Sequence, residues 1–178
     1  MTASLKLTTL ALVAALASAG GSVSLTIWLG LIACPLCLLQ RAFAVAVLGT
    51  LILGLATKAR DTGLVNLLAF LPAVVGGLIA GWHTVLDVSG VQICPNGVFG
   101  LGTTAQQSLA SFVLILAALF PGVVIDVRNR SVSVAAVGWT LLLGAALAYT
   151  CIATTPPPEM PAPEMRPGVC HPPVPEGS

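Results

Sequence analysis

Long apolar runs broken by short polar links dominate this chain. Five such runs stand out, at about 7–32, 38–56, 64–82, 108–125 and 132–152. A helix that crosses a bilayer needs about 20 mostly apolar residues, and each run is close to that length. Strands of a membrane barrel would alternate apolar with polar positions, and these runs do not, so they predict spanning helices. Gly20, Gly21, Ser22 and Ser24 interrupt the first run, Pro72 lies inside the third and Pro121 near the end of the fourth. A proline inside a membrane helix can bend it. The first run also has the look of a cleavable leader, with Lys6 ahead of it and Ala17-Ser18-Ala19 within it. Its apolar character resumes at Leu25 and lasts to Ala33, which favours a retained helix.

After Ala153 the pattern changes. Residues 154–178 hold many prolines and no apolar run. That composition predicts extended or polyproline backbone rather than packed structure. The expected organisation is a polytopic all-α membrane domain over 1–153 and a flexible tail over 154–178.

Composition agrees with the pattern. The chain is 57% hydrophobic and 7% charged, where a soluble domain carries roughly a quarter charged residues. So few charges cannot clothe a water-facing surface, and most of the surface must face lipid. A formal charge of +1 with scattered basic residues leaves no nucleic-acid footprint. The links Thr57-Lys58-Ala59-Arg60-Asp61 and Asp126-Val127-Arg128-Asn129-Arg130 are basic, as is the N-terminus at Lys6. With five helices all three fall on one side, which the positive-inside rule makes cytoplasmic. The turn between the first two helices, the loop at about 83–107 and the tail then share the outer side.

Cysteines sort by side as well. Cys34, Cys37, Cys94 and Cys170 belong on or near the outer side, and Cys151 lies about one turn inside the outer end of the fifth helix. Disulfides persist outside the cytosol and are rare within it. Cys34-Pro35-Leu36-Cys37 stands at the turn of the first hairpin, where a dithiol can meet soluble partners and a lipid-dissolved carrier alike. Cys37 at the start of the second helix gains from the positive end of the helix dipole, and Arg41 follows one turn deeper. Arg41 therefore suits two tasks, lowering the pKa of Cys37 and binding a quinone carbonyl, with a simple interfacial anchor as the plainer role. Gln40 is a weaker candidate donor beside it. No His follows the CxxC, which argues against covalent haem. Too few acidic residues stand near the histidines to expect a metal site.

The run Cys34-Pro35-Leu36-Cys37-Leu38-Leu39-Gln40-Arg41 at the mouth of a first membrane hairpin resembles the disulfide bond formation protein B (DsbB) family. Trp82-His83-Thr84-Val85-Leu86 is similar to that family's His-containing segment, and Cys94-Pro95 is placed like the first cysteine of its second outer loop. The resemblance covers about 7–127. It implies a four-helix bundle core, with the fifth helix as an addition. It also implies a thiol:quinone oxidoreductase of the bacterial inner membrane, multi-pass, with its N-terminus cytoplasmic and its C-terminus periplasmic. Cys34 and Cys37 would be coupled to ubiquinone or menaquinone, with Arg41 and His83 beside the quinone. Cys94 would serve a soluble thioredoxin-fold oxidase of the DsbA type, which makes disulfides in exported proteins.

One departure matters. The family's second loop holds a cysteine pair, and here it holds only Cys94. Two partners are open, Cys170 in the tail and Cys151 in the fifth helix. Cys170 is preferred because a long proline-rich segment lets it reach the loop, while Cys151 also suits a small buried packing residue. His171 beside Cys170 suits lowering its pKa. Two other functions compete. A vitamin K epoxide reductase-like enzyme also sets a CxxC beside quinone, but its CxxC follows the loop cysteines. A structural subunit of a membrane complex would hold static disulfides.

Overall fold

A backbone buried in hydrocarbon has no water to bond and must bond to itself. The computed structural model does this with five helices: α1 (Ala3–Leu29), α2 (Pro35–Ala56), α3 (Thr62–Val88), α4 (Thr104–Arg128) and α5 (Val134–Thr154). All five are long and apolar enough to cross a membrane, and the chain is an integral membrane protein. The structure describes residues 3–29, 32–56, 62–130, 132–157, 159–162 and 168–174. The basic link at 57–61 lies outside them. Among the described residues there is no strand, only isolated bridges joining Ile93 to His171 and Asn96 to Thr103.

Helix α3 is the hub, packing against α2, α4 and α5, while α1 lies against α2 and α4. The most deeply buried side chains, such as Phe112, Ile115, Leu119, Leu51 and Val47, fill the space between α2, α3 and α4. Leu53, Leu114, Leu142 and Trp139 face outward, as lipid-facing residues should. Without a hydrophobic drive between helices in lipid, close backbone approach holds them together. Gly76 on α3 sits under the Phe112 ring, where a Cβ would collide. A Cβ on Gly144 of α5 would stand 3.0 Å from Val74 Cγ1. That contact seats the fifth helix on α3.

The helix ends differ from the hydropathy pattern where polar side chains cap or extend the helices. Helix α2 starts at Pro35 rather than near 38. Cys34 is its N-cap: the Leu38 N–H donates to Cys34 O at 2.9 Å and the Cys37 N–H to Cys34 Sγ at 3.2 Å. Pro35 follows in the first helical position, where its missing N–H costs nothing. Helix α3 continues past Trp82 to Val88 through His83, Thr84 and Asp87, which a hydropathy pattern reads as loop. Helix α4 starts at Thr104 because Thr103 and Gln106 form a capping box.

The loop from α3 to α4 is tightly held. Asp87 accepts from the Cys94 N–H at 3.2 Å and from Thr103 Oγ1 at 2.6 Å. The Gln107 amide accepts from the Val98 N–H and donates to the carbonyls of Val98 and Leu101, each at 2.9 Å. Behind α5 the chain returns to the helices. The Ile32 N–H donates to Gly168 O at 2.8 Å, and Ile93 and His171 exchange both backbone bonds, at 2.8 and 3.0 Å. Within the stretch expected to be a flexible tail, residues 168–171 are thus docked, and Cys170 and His171 are buried.

Opposite the cysteines lies a second buried polar group. Thr8 Oγ1 donates to Asn66 Oδ1 at 2.8 Å, and Asn66 Nδ2 donates to Asp126 Oδ2 at 2.8 Å. This run ties α1, α3 and α4 together.

Candidate functional site

The capping role of Cys34 decides its chemistry. Its sulfur faces the Cys37 N–H at the helix start, where unpaired N–H groups favour negative charge. The Cys37 sulfur stands 2.7 Å away. Hydrogen bonding from Cys37 lowers the pKa of the Cys34 thiol to about 5, and hydrogen bonding from His83 adds to this, while burial opposes it. The anionic sulfur of the pair is therefore Cys34, the N-cap. The sequence suggested Cys37 instead, with Arg41 as the stabilising charge.

Arg41 reaches across to α1. Its Nε donates to Ser22 Oγ at 3.0 Å, and Nη2 donates to Ser22 O at 3.0 Å and Thr26 Oγ1 at 2.7 Å. Among the described residues Nη1 makes no hydrogen bond. Ser22 and Thr26 are four apart on α1, one turn, so both face the same guanidinium. The serine that looked like a mere interruption of the first apolar run is the acceptor that fixes Arg41.

His83 is fully buried and joins the two cysteine pairs. Its Nε2 lies 3.3 Å from Cys94 Sγ and 3.8 Å from Cys34 Sγ. Its Nδ1 lies 3.1 Å from Gln40 Nε2. An amide nitrogen only donates, so with the amide in this orientation Nδ1 accepts and the ring proton sits on Nε2, between the sulfurs. Gln40 is buried and holds the imidazole from behind. Asp87, one turn beyond His83 on α3, fixes the backbone of Cys94.

Cys94 is bonded to Cys170. Cys34, Cys37 and Cys151 are free, and Cys151 packs against the same cluster without a bridge. The sulfurs of Cys34, Cys37 and Cys170 and a ring nitrogen of His83 all lie within 4.8 Å of one another. His171 Nδ1 stands 2.6 Å from Pro172 O, so its ring turns to its own backbone.

A cavity of about 230 Å³ opens beside this cluster, between α1, α2 and α4. Cys37, Gln40, Arg41 and Cys170 line one part of it, and Ala17 and Gly21 make room on the α1 side. Its wall is mostly apolar with a few convergent polar groups, the character of a small-molecule site. A flat apolar ring with carbonyl oxygens fits that donor set: Nη1 of Arg41 offers N–H groups and Cys37 offers a thiol.

Sequence reasoning named the seven residues Cys34, Cys37, Gln40, Arg41, His83, Cys94 and Cys170 as candidates, and the fold brings all of them to one end of the helices. It passed over Ser22, Thr26, Asp87 and Gln107. The spacing of Ser22 to Thr26, and of His83 to Asp87, was the available signal.

The family model for disulfide bond formation protein DsbB matches residues 4–154. No curated protein and no solved structure matches the chain.

Proposed function

The chain belongs to the DsbB family of membrane oxidoreductases that form disulfide bonds, and on that premise we propose that it is a thiol:quinone oxidoreductase. In this reading it reoxidises a soluble thioredoxin-fold dithiol oxidase and passes the electrons to quinone, so that exported proteins gain disulfides. The family match runs through α5, and only the trailing segment that carries Cys170 lies beyond it. The protein sits in a bacterial inner membrane, with Lys6, Arg128 and Arg130 on the cytoplasmic side and the sulfurs on the periplasmic side.

The observation that carries this reading is the assembly of three sulfurs and one imidazole within 4.8 Å beside an apolar cavity. A thiolate of the soluble partner attacks Cys94, the Cys94–Cys170 bond breaks and Cys170 leaves as a thiolate. Cys170 then attacks Cys34 of the oxidised CxxC pair, and Cys37 leaves toward the cavity. The second partner thiol attacks the partner's own sulfur in the mixed disulfide, so the partner departs as a disulfide and Cys94 leaves as a thiolate. Cys94 then attacks Cys170, restoring Cys94–Cys170 and releasing Cys34 as a thiolate. The net transfer is two electrons and two protons from the partner dithiol to the Cys34/Cys37 pair. His83, with its Nε2 proton between Cys34 and Cys94, steadies these two sulfurs as they leave. Cys34, already poised as an anion, is a good leaving group, because thiols of low pKa leave faster. A quinone bound in the cavity would supply the two-electron, two-proton acceptor. Arg41, fixed by Ser22 and Thr26, would hold its head group.

The test is direct. Purified protein in detergent, given a reduced thioredoxin-fold dithiol and a soluble quinone analogue, should reduce the quinone at a rate that follows dithiol oxidation one for one. Cys34→Ser, Cys94→Ser and Cys170→Ser should each abolish the reaction. Full activity in Cys170→Ser would refute the relay through the returning segment.

A further inference from the structure

We propose that the fully reduced protein binds one thiophilic divalent ion, with zinc as the natural case, through Cys34, Cys37, Cys170 and His83. This goes beyond the oxidase reading and does not require it, since it needs only the thiols and the imidazole to be assembled. Sequence alone gave no hint of a metal, because carboxylates are scarce and the four donors are scattered along the chain. The fold gathers them, with Cys34, Cys170 and His83 buried and Cys37 half-buried.

Three thiolates and one imidazole are the donor set of closed zinc sites, and C-x-x-C is the usual chelating spacing in them. Bonds of about 2.3 Å to sulfur and about 2.0 Å to nitrogen give a tetrahedron with edges of about 3.5–3.8 Å. Cys34 Sγ already lies 3.8 Å from His83 Nε2. The Cys34 and Cys37 sulfurs, at 2.7 Å, must part by about 1 Å to reach such an edge. Gln40 completes the arrangement. Metal on Nε2 requires the ring proton on Nδ1, and the Gln40 amide can turn to accept it through Oε1.

Binding is gated by redox state. In the structure Cys170 is bonded to Cys94 and has no thiolate to give. Opening that bond takes two electrons and two protons from an external dithiol, which leaves as its own disulfide. The ion then displaces the protons of Cys34, Cys37 and Cys170, and the site carries one net negative charge. All three sulfurs are withdrawn from exchange, so the ion holds the enzyme in its reduced, idle form.

The experiment uses full-length protein in detergent, reduced with a phosphine, desalted without oxygen and titrated with cobalt(II), then zinc. Reduced protein should take up one cobalt per chain, with the thiolate charge-transfer bands and intense visible bands of tetrahedral cobalt, bleached by zinc. Oxidised protein should show neither. Cys170→Ser and His83→Ala should lose the tetrahedral spectrum, Cys94→Ser and Cys151→Ser should keep it, and Gln40→Ala should weaken binding by about 10- to 100-fold. Mass-tagging of the unmutated protein avoids any folding defect in the variants. Zinc should shield Cys34, Cys37 and Cys170 from a maleimide and leave Cys94 and Cys151 to react. Protection of Cys34 and Cys37 alone, unchanged affinity in Cys170→Ser and His83→Ala, or no uptake by reduced protein would each overturn the proposal. None of these results depends on quinone turnover.

Discussion

At one end of the helices Thr8, Asn66 and Asp126 link α1, α3 and α4 by hydrogen bonds of 2.8 Å. At the other end Cys34, His83, Cys94 and Cys170 join the start of α2, the far part of α3, the loop and the returning segment. Both groups are buried and polar in a chain that faces lipid. They differ in what their bonds can do. Oxygen and nitrogen partners at the first end offer one arrangement and fix the helices. Sulfurs at the second end can exchange partners within a nearly unchanged frame, because each can be thiol, thiolate or half of a disulfide. The lesson is that one end supplies the rigidity against which the other can trade bonds.

Substitutions can break or sharpen this contrast. The largest effect should come from Cys34→Ser, which removes the anionic sulfur. Dithiol-dependent quinone reduction should fall to background, while the midpoint of denaturant unfolding stays near that of the parent. Next is Arg41→Ala, which frees Ser22 and Thr26 and removes the guanidinium from the cavity. KM for a quinone analogue should rise at least tenfold, with Arg41→Lys in between because it keeps charge but loses the planar fork. At the opposite end Asn66→Leu removes the bridge from Thr8 to Asp126. It should cost about 1–2 kcal/mol of stability, the range for interhelical hydrogen bonds in membranes. Turnover per folded molecule should hardly change; a selective loss of turnover would mean that the two ends are coupled.

The smallest effect is a pH dependence. Cys34 ionises at about 5, so its thiolate persists on acidification until pH falls through that value. Alkylation of the reduced protein at Cys34 by iodoacetamide should hold nearly level from neutral pH down to about 6. It should then drop tenfold per pH unit below about 5. A fall beginning near the ordinary thiol range would place the anion elsewhere.

Much of the fold was legible because each apolar run is long enough to have one meaning in lipid. The ends were less so. Cys34 as a cap, the Thr103–Gln106 box and the polar turn from His83 to Asp87 extend helices by side-chain chemistry that hydropathy does not register. Among site residues, the CxxC and Arg41 were legible because they are contiguous. Gln40 was taken for a quinone-side donor, and its bond to His83 Nδ1 depends on how α2 and α3 face each other. Ser22 and Thr26 were invisible as partners, since a lone hydroxyl in a membrane helix usually bonds its own backbone, as Ser24 does to Gly20 O.

The docking of Gly168 to Ile32, and of His171 to Ile93, also bears on biosynthesis. A nascent chain with α1 to α4 inserted already holds its CxxC and its loop cysteine, yet Cys94 still lacks its mate. Only after α5 is in place and the segment behind it has docked on Ile32 and Ile93 can Cys94 bond to Cys170. On the proposed relay, stalled or clipped products are electrically open and draw no electrons from exported proteins before assembly is complete.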